Sequence, residues 1–384
     1  MVKEIQINNF KSIQDLKLEL GRLNVFIGEN GCGKSNVLEA IAMGSAAAKN
    51  ELSNEFLFAR GIRVTDSVFM RSAFKKQSGK KPIQISLIDK DLINFSYTLH
   101  NENKPYSEWR DENNRDEIKR LDTKIQRILF HENGEVREIE SSKIWPHLEE
   151  LQKLLSKPYL SKTKCFSNFI VYAPENYFLR RFEEEAQIEP LGIRGEGLFK
   201  LLTVLASEKP DHLQEIKNNL NLIDWFGDFE IPNDLDFTER RIKIKDRFLN
   251  EGLEFFDQRS ANEGFLFLLF YFSLFISDYT PKFFAIDNID NALNPKLCRK
   301  LIGRLAQLSK DHDKQAILTT HNPAVLDGLD LNDDEQRLFV IYRNADGHTK
   351  ARRILKPQLP EGVEPIRLSE MFLRGSIGGL PKNF

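Results

Sequence analysis

The sequence contains no run of 18 apolar residues. Its nearest approach, Phe265 to Ile276, is too short for the roughly 20 residues that a membrane-spanning helix needs and reads as a buried helix. The opening MVKEIQINNF lacks the basic and apolar blocks of a signal peptide, so the expected location is the cytoplasm, with no membrane partner. Cysteine is scarce. Cys32, Cys165 and Cys298 are widely separated, which excludes a disulfide framework and suggests no clustered metal site. There is no internal repeat and no low-complexity tract. The net charge is only −2, which gives no global pull toward nucleic acid. A local basic face stays open at Lys75, Lys76, Lys80 and Lys81, or at Arg240, Arg241, Lys243, Lys245 and Arg247. The second group alternates with Ile242 and Ile244, so it also reads as the wet face of a strand. Methionine is rare, 4 against 29 phenylalanines, so the core is expected to pack through aromatic rings.

What is present begins with Gly28, Glu29, Asn30, Gly31, Cys32, Gly33, Lys34 and Ser35, the spacing of a phosphate-binding loop. The apolar run Leu23 to Ile27 before it reads as a buried strand, and a helix is expected from Ser35 to about Ala48. In that context the glycines let backbone N–H groups turn toward the α- and β-phosphates of a nucleotide. Lys34 reaches the β- and γ-phosphates, and the Ser35 hydroxyl is left for Mg²⁺. The helix start, with Asn36 next in line, adds its positive end.

Alternation at Ile5 and Ile7, then at Ile13, Leu16, Leu18 and Leu20, predicts two half-buried strands ahead of the loop. Alternation returns at Ile83 to Leu87 and Phe95 to Leu99, which predicts an antiparallel β layer beside the nucleotide. From about Glu102 to Lys162 the chain is highly charged, with helical spacing at Leu148, Leu151, Leu154 and Leu155, as expected of an inserted helical arm. No heptad pattern survives long enough for an extended coiled coil. A strand is expected at Phe169 to Tyr172 and a mostly helical stretch from Leu198 to Leu222. Regular α/β sequence follows: strand Phe283 to Ile286, helix Pro295 to Lys310, and strands Ala316 to Thr319 and Leu338 to Tyr342. Asp346-Gly347 predicts a hairpin into Ala351 to Leu355.

The strand Phe283 to Ile286 ends in Asp287. An apolar strand delivering a carboxylate beside a phosphate loop is what a Walker B motif requires, with the acid holding Mg²⁺ through water. A second buried strand, Ala316 to Thr319, leads to His321, whose imidazole is placed to meet a γ-phosphate.

Together these features resemble the ABC-type ATPase heads of the RecF, SMC and OLD group, in particular the compact AAA-family ATPases of prokaryotes often found with defence operons. The resemblance rests on Ile5, Ile7, Asn9, Phe10, Lys11 and Ser12, on Gly28 to Ser35, on Asp287 with Asn291 to Pro295, and on Thr319 to Pro323. It implies an α/β fold: a P-loop NTPase head of ABC type with a mixed sheet, an N-terminal antiparallel β layer and an inserted, mostly helical arm. The head would comprise 1–48 and 164–384, and the insertion 49–163. It implies ATP and Mg²⁺ as ligands, and a head-to-tail homodimer in which the loop of one copy faces a signature segment of the other. The matching segment is Arg259 to Gly264. Gly264 takes the family glycine and Asn262 stands where serine is usual; Ser260 is the other candidate, and a plain capped helix start is the structural alternative.

The departure from the family lies after Asp287. Asn288 replaces the usual glutamate that polarises the attacking water, and losing a general base costs about 10²- to 10⁴-fold. Hydrolysis is therefore expected to be slow, with Asp290 as the substitute base or else a turn or dimer-contact residue. The end of the chain, Leu368 to Pro381, reads as a tail that docks on a partner, or at Gly378-Gly379 as a second anion-binding turn. No nuclease signature is present, so any nuclease or toxin activity belongs to a separately encoded effector, and an antiphage role rests on the resemblance alone. DNA or RNA stays open as a further partner. The competing readings are an ATP-gated scaffold without turnover, which Asn288 favours, and a DNA-repair ATPase of RecF type.

Overall fold

The computed structural model describes residues 1–74, 81–104, 107–112, 166–182, 190–232, 240–250, 255–356 and 366–380. Most of the expected arm, including Leu148, Leu151, Leu154 and Leu155, lies outside them, as do Cys165, Lys75, Lys76 and Lys80.

Fourteen strands appear among the described residues: β1 (Val2–Phe10), β2 (Ile13–Glu19), β3 (Leu23–Ile27), β4 (Ile83–Asp89), β5 (Asn94–His100), β6 (Arg110–Asp111), β7 (Val171–Tyr172), β8 (Phe226–Glu230), β9 (Lys243–Asp246), β10 (Phe256–Asp257), β11 (Phe283–Ile286), β12 (Gln315–Thr319), β13 (Gln336–Arg343) and β14 (Thr349–Ile354). The central sheet has the order β14-β13-β3-β12-β11-β7. It is parallel except for the β13–β14 hairpin. Every residue of β3, β11 and β12 is buried, as in strands covered on both faces; the polar Asn24, Gln315 and Thr319 among them are hydrogen-bonded to Ala316, Val2 and Asp287.

The second sheet is antiparallel, β2-β1-β4-β5-β6. Its strands alternate buried and wetter positions, as a sheet with one packed face must. Between the two sheets runs the phosphate-loop helix Lys34–Ala48, buried at Val37, Leu38, Ile41 and Met43. β4 and β5, which the division at 49–163 assigns to the insertion, extend this N-terminal layer: Ile5 pairs with Leu87 and Ile7 with Ile85. That part of the segment is thus continuous with the head.

On the opposite face lies the helix Glu263–Ile276, buried without interruption from Phe265 to Ile276. A helix apolar all round belongs inside a core, and this one meets Val25, Phe284, Ile286 and Leu318 in the larger of two core clusters. The stretch expected as one helical segment divides into Leu198–Glu208 and Pro210–Leu220. Pro210 cannot continue the first helix and is suited to open the second. The three-stranded sheet β10-β9-β8 packs beside them, with Ile242 and Ile244 fully buried; the basic run from Arg240 to Arg247 therefore includes the outer face of a strand. Pro295–Asp311 forms the amphipathic helix between β11 and β12.

The sequence end is not a free tail over its described part. The helix Leu368–Leu373 packs on the 3-10 turn Pro323–Gly328, and Phe372 and Ile377 are buried.

Candidate nucleotide site

The order β3-β12-β11 sets three carboxyl ends side by side. Ligands of parallel α/β sheets bind at that edge. From β3 comes the phosphate loop, from β11 Asp287 and from β12 His321. In the loop, Lys34 Nζ donates to Gly28 O at 2.8 Å and to Glu29 O at 3.2 Å, holding the ammonium over the loop's own carbonyls. Burial pulls the Lys34 pKa down, against the raising influence of Cys32, Asp287 and Glu29.

Gly33 precedes the helix with φ 108°. A Cβ there would lie 2.1 Å from Thr349 Oγ1, so the position requires glycine both for its dihedral and for its neighbour. Thr349 and Ser12 brace the loop from behind. Thr349 Oγ1 donates to Cys32 O at 2.8 Å, the Ser12 and Thr349 hydroxyls lie 2.7 Å apart, and Asn36 Nδ2 donates to Ser12 Oγ at 2.7 Å.

Ser35 Oγ donates to Asp287 Oδ2 at 3.1 Å, while Thr319 Oγ1 donates to Asp287 Oδ1. The Ser35 hydroxyl and Asp287 Oδ2 therefore lie side by side, hard oxygen donors of the kind Mg²⁺ takes. Asn288 N donates to Thr319 Oγ1 at 2.9 Å, and Asn288 adopts φ 56°, a left-handed conformation that asparagine tolerates better than most residues. Thr320 Oγ1 donates to Asp290 Oδ1 at 2.6 Å and accepts from Asn322 N at 2.9 Å. The expected pair of loops after β11 and β12 is thus stitched together by two threonines, Thr319 and Thr320, which the resemblance includes without giving either a role. Their signal was hydroxyl side chains at the end of an otherwise apolar strand. Partial burial lowers the His321 pKa, and the Lys34 charge lowers it further, against Asp290 and Asp287.

Beside Asn36 opens a cleft of about 430 Å³ lined by Lys11, Ser12, Arg63, Arg71 and Arg343. Glu39, on the phosphate-loop helix and 2% exposed, accepts from both Lys11 and Arg63. The structure thus gathers Gly28, Glu29, Asn30, Gly31, Cys32, Gly33, Lys34, Ser35, Asn36, Asp287, Asn288, Asp290 and His321 at one sheet edge.

The signature candidates stand elsewhere. Asn262 caps the helix Glu263–Ile276, its Oδ1 accepting from Phe265 N at 2.9 Å. Asn262 and Gly264 line a second cleft with Ala292, Asn294, Trp225 and Lys296. Arg180 Nη1 fixes the approach to this corner by donating to Ala261 O at 2.8 Å. Ser260 lies earlier, its amide turned back on Asp257 O at 3.1 Å.

This fold and this site define a P-loop ATPase head of ABC type. The family model described as "AAA domain, putative AbiEii toxin, Type IV TA system" matches residues 23–327. The chain belongs to that AAA-domain family. Among similar proteins, the uncharacterized protein MJECL10 of Methanocaldococcus jannaschii is 32% identical over 113 residues, 28% of this chain and 50% of that one. The chromosome partition protein Smc of Desulfitobacterium hafniense is 39% identical over 88 residues, 22% of this chain and 7% of Smc. The DNA replication and repair protein RecF of Lactococcus lactis is 49% identical over 41 residues, 10% of this chain and 11% of RecF. The matches thus span half or less of these relatives. In fold, the chain is similar to the Smc head domain of Pyrococcus furiosus solved with an extended coiled coil and bound to the C-terminal domain of ScpA. The TM-score is 0.51 at 14% identity, covering 92% of this chain and 96% of that one. An SmcHead bound to the C-winged helix domain of ScpA gives 0.51 at 15% identity, covering 92% and 98%. Among the described residues no helix is long and apolar enough to cross a membrane.

Proposed function

We propose that the chain is a slow cytoplasmic ATPase that closes head to tail on a second copy around ATP and thereby regulates a separately encoded nuclease or toxin, in antiphage defence. The observation that carries the catalytic part is the contact of Ser35 with Asp287, bracketed by Thr319. Backbone amides from Gly28 to Ser35 cradle the phosphates, and Lys34 leaves the loop carbonyls for the β- and γ-phosphates. Mg²⁺, held by Ser35 and Asp287, would offset phosphate charge. His321 orients the γ-phosphate. Asp290, tied to the His321 loop through Thr320, takes the proton from water in place of the family glutamate. In the mate, Asn262 and Gly264 cap the γ-phosphate, and the charged stretch from about Glu102 to Lys162 is the arm that meets the partner.

The effector part is supported by the family description and by the two Smc head structures, each solved with a ScpA domain bound. Asn288 favours a second reading, an ATP-gated scaffold without turnover. Phosphate release by the native chain, Lys34→Ala, Asp290→Asn and Asn288→Glu separates the two. The ATPase reading expects native turnover above Lys34→Ala, a further loss in Asp290→Asn and a gain in Asn288→Glu. Native turnover equal to Lys34→Ala, with turnover restored by Asn288→Glu, establishes the scaffold. Light scattering with and without MgATP tests the dimer.

A further inference from the structure

The segment 366–380 lies beyond the residues matched by the family model, yet it touches the supports of both loops of the site. Its helix Leu368–Leu373 has only 6 residues, too few to hold its shape without docking. The dock is Asp327, on the turn Pro323–Gly328 that starts two residues after His321. Ser369 N donates to Asp327 Oδ1 at 3.0 Å and Ser369 Oγ to Asp327 Oδ2 at 2.7 Å. Hydrogen bonds to a carboxylate are stronger than those between neutral groups.

From there the segment runs back across the sheet. Arg352 Nη2, on β14, donates to Ile377 O at 2.7 Å, and Ile377 and Phe372 enter the larger core cluster. Gly379, at φ +91°, ends against the phosphate loop. A Cβ on it would lie 3.1 Å from Phe372 Cε2, 3.4 Å from Val340 Cγ1 and 3.6 Å from Gly28 Cα. Gly28 O is the acceptor that holds Lys34 Nζ. One short segment thus abuts the first residue of the phosphate loop at one end and grips the turn behind His321 at the other.

We propose that residues 366–380 are a strap that fixes these two loops relative to each other, with Asp327 and Gly379 as positioning residues for the nucleotide site. Release of the strap loosens both loops together. Only the consequence for affinity rests on the ATP-binding reading: whatever factor the docked strap adds to ATP affinity, ATP adds to strap docking.

Hydrogen–deuterium exchange on the full chain without nucleotide tests the coupling. Ser369→Ala is expected to raise exchange several-fold in 366–380, in 323–328 and in 28–36, with the melting of the rest of the head unchanged. Gly379→Ala is expected to raise it in 28–36 from the other end. Exchange that rises in 366–380 but stays native in 28–36 overturns the strap; should Gly379→Ala fail to fold, Ser369→Ala decides alone. With MgATP, native exchange should fall in 28–36 and 366–380, and ATP affinity of Ser369→Ala should drop several-fold. A native protein whose exchange ignores MgATP refutes ATP binding, whereas the nucleotide-free comparison still decides the strap.

Discussion

Ser35 and Asp287 are 252 positions apart in the chain, and the Ser35 hydroxyl donates to the Asp287 carboxylate at 3.1 Å. β12 lies between β3, which leads into the phosphate loop, and β11, which ends just before Asp287, and its Thr319 holds the other carboxylate oxygen. Asp287 is therefore oriented from two sides by hydroxyl donors, which leaves a carboxylate of fixed direction facing the loop that Lys34 occupies.

That arrangement predicts the outcome of neutralising the acid. Asp287→Asn keeps an acceptor for Thr319 or Ser35 but removes the negative charge, and with it the attraction for a divalent cation. Mg²⁺-dependent phosphate release should fall by about 10²-fold or more. ATP binding measured in EDTA should change little. Equal loss of binding with and without the metal would contradict the assignment of Asp287 as the metal-side acid.

A stability effect is expected one turn along the phosphate-loop helix. Glu39 is 2% exposed and accepts from both Lys11 and Arg63, one carboxylate oxygen to each; the two cations arrive from different parts of the chain. Glu39→Ala leaves two cations facing each other with no carboxylate between them. Removing one member of a buried ion pair costs about 3–5 kcal/mol; with Arg63 largely exposed, about 2–3 kcal/mol is expected here, read from urea denaturation. Arg63→Ala should cost much less, because Lys11 still pairs with the acid.

The sequence was most legible where one residue pattern has one structural meaning. Leu23–Ile27 and Phe283–Ile286 are strands with the limits read from their largely apolar runs, because burial on both faces favours apolar residues; the one polar residue, Asn24, is buried with its amide bonded to Gly21 and Ala316. Phosphate loop, Asp287 and His321 were legible because their spacing and strand context carry chemistry. Pairing over long distance was not: nothing local in Ile83 to Leu99 says that β4 will join β1 in register. The threonine brackets on Asp287 and Asp290 were missed for the same reason, since a hydroxyl gains its partner only when β11 and β12 align. The docking of 366–380 depends on Asp327 and Gly28, both remote in sequence, so a glycine-rich end read as a tail for another molecule.

Lys314 predicts a pH dependence. It is fully buried, and its ammonium donates to Ser277 O at 2.7 Å, Thr280 O at 3.1 Å, Thr280 Oγ1 at 2.7 Å and Pro281 O at 3.3 Å. Burial pushes its pKa down to about 7, with Lys282 lowering it further against Asp278 and Asp313. In the unfolded chain the lysine stays protonated to about pH 10.4. Between those limits the unfolded state binds more protons, so stability from this group rises with pH. Below pH 7 both states are protonated and the contribution is flat. Relative to Lys314→Met, the native chain should gain about 2 kcal/mol between pH 7 and pH 9, measured by urea unfolding of both. A difference that is constant over this range would mean that the four oxygens keep the ammonium charged.

Asn262 offers the cleanest separation of a structural role from a functional one. As the cap of Glu263–Ile276 it uses only its side-chain oxygen, which accepts from Phe265 N; as a signature residue it must use its amide NH₂ on the phosphate of a second copy. Asn262→Asp splits the two, because aspartate caps as well as asparagine but has no donor and adds a negative charge that would face a triphosphate. If the signature role is right, this variant melts like the native chain and still binds ATP, yet loses ATP-dependent dimerisation in light scattering. Asn262→Ser, which supplies both an acceptor and a hydroxyl donor, should retain the dimer. Asn262→Ala should lose about 1 kcal/mol of stability together with the dimer. A dimer that survives Asn262→Asp unchanged would reduce Asn262 to its cap and move the search for the facing residue to Ser260 or the Ala292–Asn294 corner.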